Sequence, residues 1–359
     1  TDEADLTLSN LPSGAAVSWD LATDADIRGG VEFDLTLDTC DVDGWEIIAM
    51  NKAYVEVESS DSIYTLVAAD NAHVDVVDCI PVTGVVCMSK SFLNFTNSEA
   101  NTIGISHTAK ALIHSYVDEL ECDGYCRVEA VEAEISWASI LCAKNVLFDS
   151  CTVDDMALFC ASSNFTDCDI RGDVYSFLYS TFNATDTDIH GSIAAVYHAF
   201  VFANGCTFMN DVYVREKSYA SLSSCTLSTT GMPIIEVSGD SCLEFTGSVD
   251  VNELHIEVMD ASEFNFTLCS IDVDTDLYVN TYDSSEAYFA SCSFTVADTA
   301  RICSYDSSHI SLTSCDIDCA TFNATTTGQS YLYYYGLDVQ ATDDIFLHGK
   351  SFSTVEGHS

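Results

Sequence analysis

Apolar and polar positions alternate along this chain in short runs that restart at a regular interval. Toward the C-terminal end the runs are Phe264-Asn-Phe266-Thr-Leu-Cys269-Ser-Ile271, Ala287-Tyr-Phe289-Ala-Ser-Cys292-Ser-Phe294 and Ile310-Ser-Leu312-Thr-Ser-Cys315-Asp-Ile317. Alternation with period two buries one face of a strand. The two residues before each cysteine break the alternation, so the chain turns a corner and a second strand begins at the cysteine. The same frame extends back to Leu37/Cys40/Val42 and forward to Tyr334/Leu337/Val339, in about sixteen copies spaced about twenty residues apart. Val76/Cys79/Pro81 is another copy, and the weaker ones include Val57/Ser60/Ser62, Val117/Leu120/Cys122 and Phe245/Ser248/Asp250.

A repeat of this length that cannot bury its apolar face alone must stack on its neighbours. The expected fold is all-β: a parallel β-solenoid of about sixteen stacked strand–corner–strand coils, right-handed by the usual rule for parallel crossovers. The repeat is continuous and no Gly/Ser-rich linker interrupts it, which argues for one elongated domain over residues 1–359. Strand-like alternation at Leu6-Thr-Leu8, Val17-Ser-Trp19 and Ile345-Phe-Leu347 makes 1–30 and 340–359 end coils with open edges, able to stack on another copy of the chain.

Charge narrows the partners. Eleven Lys and Arg face fifty-seven Asp and Glu, a net charge of −46. Nucleic acid and anionic membranes are poor partners for such a field, and no apolar run is long enough to insert into a bilayer. Many acids occupy outward positions, where stacking brings carboxylates within about 5 Å of one another. They form a solvated face, or they bind divalent cations; Asp272, Asp274 and Asp276 are the candidate Ca²⁺ ligands, and Ca²⁺ is the one cofactor the sequence suggests.

Seventeen cysteines are many for an intracellular chain. Those in the repeat column read as a buried stack of small side chains, in which Cys, Ser, Thr and Ala interchange. Cys142 and Cys160 each lie nine residues beyond their column position in successive coils, which makes them the candidate disulfide. The sequons at Asn94, Asn164, Asn183 and Asn265 share one outward register and are candidate glycosylation sites. The aromatic runs Tyr175, Phe177, Tyr179 and Tyr331, Tyr333–Tyr335 are either cross-strand packing or sugar platforms. The acid pairs Asp154-Asp155 and Asp343-Asp344 and the dipeptide His190-Gly191 are generic in so acidic a chain, and the basic residues are scattered. No nucleophile elbow or phosphate loop occurs, so the expectation is that the chain is not an enzyme.

An acidic chain rich in Cys, Tyr, Ser and Thr, built of short frames such as Phe266/Cys269/Ile271, resembles the sheath protein of filamentous methanogenic archaea. The resemblance implies an extracellular, amyloid-like, disulfide-reinforced wall built from copies of the chain. The expected function is therefore an extracellular structural protein self-assembling edge to edge into a cell-surface sheath or S-layer-like wall, with itself as partner. The alternative is a secreted β-helix that binds or acts on carbohydrate.

Overall fold

A computed structural model describes residues 4–9, 33–38, 46–49, 52–59, 61–349 and 354–358. The chain is all-β, a parallel β-solenoid of about sixteen turns with a repeat near nineteen residues. No helix occurs among the described residues. Contacts divide the chain into two compact units, Thr1–Cys168 and Asp169–Ser359.

The second unit shows the turn at its plainest. One turn consists of Glu263–Thr267, Ser270–Val273 and Leu277–Thr281. These three strands belong to three sheets, called faces A, B and C below. Each pairs in parallel with its counterpart in the next turn: Phe266 with Phe289, Ile271 with Phe294, Val279 with Ile302. Inward side chains therefore stack on equivalents of themselves, and Phe264, Phe266, Phe289 and Phe294 are all buried. The first unit follows the same plan with softer corners, so that faces B and C are carried by unbroken strands such as Ile80–Cys87 and Thr152–Phe159. Phe92–His107 runs through all three faces.

Three strands per turn, rather than two, is a correction to the sequence reading. The third strand is visible in the alternation of Leu277-Tyr-Val279-Asn-Thr281, but a polar corner, Asp274-Thr275-Asp276, detaches it from the cysteine frame. The frame itself slips where that corner length changes. Face A pairs Ile113 with Phe95, and Ser115 Oγ accepts from Ser98 N–H at 3.1 Å, so Ser115 holds the column. Leu120 and Cys122 pair with Ile103 and Ile105 and lie on face C. Likewise Gly247, not Ser248, stands opposite Cys225. It sits at φ +136°, and a Cβ there would come within 1.9 Å of the Cys225 carbonyl oxygen, so only glycine fits that corner. Pro81 is exposed, and Val82 takes the inward place.

Two columns of small buried residues hold the corners between faces. The first is the cysteine column between A and B. The residue before it is left-handed in turn after turn, including Asp167, Asp186, Ser224, Leu268, Ser291 and Ser314 at φ 50–57°. That conformation reverses the chain tightly enough to aim the next side chain into the interior. Cys292 Sγ lies 3.4 Å from the Phe266 carbonyl oxygen one turn away and 3.5 Å from that of Ala290; Cys315 repeats this with Phe289 and Thr313. The second column, between C and A, lies six or seven residues earlier: Ser218, Ser241, Ser262, Ser285, Ser308 and Ser330. Ser308 Oγ is placed to donate to Tyr305 O at 2.7 Å and Thr281 O at 3.0 Å, and Ser330 Oγ to Thr327 O and Ser304 O. A hydroxyl thus adds a second hydrogen bond to corner carbonyls that also accept a backbone N–H, as Thr281 O does from Tyr305 N–H at 2.9 Å.

Candidate functional site

With alternate residues turned inward, everything available for recognition sits on the outward positions, at the corners and at exposed edges. The acids occupy the first two. The strand carrying Asp272 ends at Val273, so Asp274 and Asp276 belong to the B-to-C corner and the three do not share a strand face. Asp276 Oδ1 accepts Thr299 N–H at 3.0 Å and Oδ2 accepts the Tyr278 hydroxyl at 3.1 Å. Asp173 and Asp211 do the same work in their own turns, each taking a backbone N–H of the next turn and a tyrosine hydroxyl two residues on. Asp276 is therefore committed to the corner. Asp274 instead lines a cleft of about 530 Å³ with Asp250, Asn252 and Ser228, and Asp250 is the register neighbour of Asp272. No group of three or more metal-ligating side chains is brought together among the described residues.

The cysteines split into two populations. All those among the described residues are free thiols. Column thiols are buried. Its hydrogen bond with Cys269 and burial push Cys292 up to about 11, and the bond with Cys292 and burial push Cys315 higher still. Cys292 and Cys315 therefore stay protonated near neutral pH, whereas hydrogen bonds with neighbouring column thiols pull Cys168, Cys206 and Cys269 down. Cys142 and Cys160 are exposed, left-handed at φ 58° and 51°, and follow the paired residues Leu141 and Phe159, so they are neighbours in successive turns of the first unit. The Cys122/Cys126 pair is buried.

The sequon asparagines all stand at outward, half-buried positions of face A. Asn94 Oδ1 accepts the Thr96 hydroxyl at 3.1 Å, and Asn265 Nδ2 donates to Glu263 Oε1 at 2.9 Å. Asn164 pairs in register with Leu147 and Asn183 with Phe202. His190 Nε2 stands 2.8 Å from Asp169 Oδ1 but off the hydrogen-bonding line; Arg171 Nε is 3.5 Å from the other oxygen of the same carboxylate. Asp188 lies beside Asp169 in register. The three charges around Asp169 make an exposed surface cluster, partly neutralised.

Two apolar exposures stand out. Around Tyr331–Tyr335 and Asp338–Gly349, residues in inward register are open: Ile345 and Leu347 are 53% and 54% exposed, whereas their register partners Phe322 and Ala324 are each 2%. With Leu332, Tyr334, Leu337 and Phe322 they line an apolar cleft of about 180 Å³. The other exposure is on face A of the second unit, where Phe200 and Phe202 point outward at 39% and 40% exposure. They end an apolar stretch from Ile193 to Phe202, and the sequence analysis did not single them out. The signal was their phase, opposite to the buried Val201 and Ala203. Of the aromatics singled out from sequence, Tyr175 donates to Asp173 and stacks on Phe177, while Tyr179 stacks on His198 with ring centroids 4.9 Å apart.

No family model, no curated protein and no solved structure matches this chain.

Proposed function

We propose that the chain is an extracellular structural protein that adds to copies of itself edge to edge, forming a cell-surface sheath or S-layer-like wall. The observation that carries this reading is the open apolar edge at Ile345 and Leu347. Both occupy positions that the preceding turns bury almost completely, and among the described residues no strand pairs with the outer side of Asp338–Gly349. Covering a Leu or Ile side chain fully is worth about 1.5–3 kcal/mol, and a strand laid there also pairs the free backbone groups of the edge. A second copy is the occupant whose own strands carry the right spacing and the right parallel register, because each turn of this chain is built to receive another.

The net charge of −46 opposes this association. Assembly is therefore expected to strengthen with salt, and more steeply with Ca²⁺ screening the acidic rows. The decisive measurement is sedimentation of wild type and Leu347→Asp, with and without reductant and with Ca²⁺ present. Wild type should form large species and the variant should not, with the same circular dichroism for both. A wild-type chain that stays monomeric in every condition overturns the reading.

A further inference from the structure

The outward side of face A between Thr181 and Ser223 is a small grid. Its rows are Thr181, Asn183, Thr185; Phe200, Phe202, Asn204; and Tyr219, Ser221, Ser223, held in strict register by parallel pairing. Rows lie about 4.8 Å apart and same-side residues along a strand about 6.7 Å apart. The Phe200 and Phe202 rings are nearly parallel, at 5°, with centroids 6.4 Å apart. Tyr219 leans on Phe202 at 5.8 Å and 52°, its hydroxyl anchored to Glu244 Oε2 at 2.7 Å. Beyond Phe202 the surface sinks into a cleft of about 330 Å³ lined by Asn183, Asn204, Ser221 and Ser223.

We infer that this grid is a binding subsite for a neutral saccharide. A pyranose has an apolar C–H face and a rim of hydroxyls. The two near-parallel, exposed phenylalanine rings offer apolar surface for the face, and amides and hydroxyls stand one grid step away for the rim. Those few polar groups give the orientation that an apolar platform alone does not. A purely apolar occupant would leave them desolvated without partners, at a cost. A polyanion is disfavoured by the charge of the chain. The interior beneath the rings is filled by Val201 and Ala203, so neither ring is needed to fill it. Outward acids stand on other face A strands of this unit at Glu244, Glu263 and Glu286, and Tyr331, Tyr333 and Tyr335 form another run of outward aromatics; the grid differs from both in setting its rings among amides and hydroxyls.

The sugar has two sources. It is a free or cell-surface saccharide, or it is the first residue of a glycan carried on Asn183, the register neighbour of Phe202. Titration of unglycosylated chain with cellohexaose, mannohexaose and chitohexaose, read by calorimetry and by saturation-transfer NMR, isolates the first. Peptide mapping of native material for added mass at Asn183 isolates the second. For a free saccharide, at least one probe binds wild type, Phe202→Ala weakens it tenfold or more, Asn204→Ala weakens it several-fold, and Phe202→Trp restores it. For an attached glycan, the added mass is found and its release leaves Phe202 newly protected by cellohexaose. If no probe binds at millimolar concentration and Asn183 is unmodified, the inference fails. It also fails if Phe202→Ala binds as wild type does, or alters only sedimentation, which would make the grid a contact between copies. Because Leu347→Asp leaves this face untouched, loss of assembly and loss of sugar binding are separable.

Discussion

The turn containing Ala300 and Ile302 and the turn containing Ile345 and Leu347 carry the same alternation on the same face, two turns apart, joined through Phe322 and Ala324. In the first, both residues are at most 1% exposed; in the second, both are more than half exposed. The strands do not differ in pattern. They differ in having a strand on both sides or on one. In a solenoid the sequence of a turn specifies which side chains seek the interior, but burial is conferred by the next turn. Stability is therefore a property of adjacent pairs.

A charge placed in each turn separates the two situations most sharply. Ile302→Asp buries an unpaired carboxylate between two turns and should unfold the second unit, a loss of about 4 kcal/mol or more. Leu347→Asp should cost under about 1 kcal/mol, because the site is open to water. Urea unfolding followed by circular dichroism measures both. Equal losses would show that the edge is covered within the monomer.

A smaller effect tests the corners that set the turns at their spacing. Ser308→Ala removes a buried hydroxyl that faces the carbonyls of Tyr305 and Thr281 and also meets Ser304 Oγ at 2.8 Å. The loss should be about 1–3 kcal/mol, and Ser308→Cys should recover part of it. Ser330→Ala, one turn nearer the open edge, should cost less than Ser308→Ala.

The smallest expected effect is on the thiols. Cys292 rises from an ordinary 9.0 to about 11 in the folded chain. The unfolded state loses that proton first as pH rises, so the contribution is complete below pH 9 and disappears as pH passes 11. Stability should fall over that window, and less so in Cys292→Ala. At neutral pH the exposed Cys142 and Cys160 should react with a thiol reagent in the native state, while the buried Cys292 and Cys315 should not. Oxidation of Cys142 with Cys160 would appear as a mass loss of about 2 Da without change in urea stability beyond the few kcal/mol typical of a cross-link.

These differences explain what the sequence made legible. Faces A and B were readable because the A-to-B corner nearly always has two residues and a small third, so the cysteine marks it. The exceptions, Ser115 and Gly247, are turns in which that corner has one residue, and there the frame slipped. Face C was overlooked because the corner leading to it varies from turn to turn, from nothing in Thr152–Phe159 to three residues before Leu277 and four before Ile234. The serine column was nearly as regular, six or seven residues before the cysteine column in the second unit, with Ala199 standing in for serine in one turn. It went unread because Ser is ordinary in a polar loop, and nothing in one turn shows that the hydroxyl faces inward. The three candidate acids do not share a strand face, for a related reason. Spacing gave Asp272, Asp274 and Asp276 a common phase, but the strand stops at Val273, and a tyrosine two residues on, Tyr278, claims the last of them. The phenylalanine platform was hidden inside an apolar run whose phase was not resolved.

Parallel pairing also sets how such a chain yields to force. Every strand of one turn is bonded to the strand directly above it, so a pull along the stacking direction loads the backbone bonds of a single turn boundary together. Turns should therefore come away one at a time rather than as a block. Each release frees about nineteen residues, which lengthen the chain by roughly 65 Å when drawn out. A single-molecule trace of either unit would be a ladder of near-equal steps, with the turn held by Gly247 and Cys225 marked by its own rupture force.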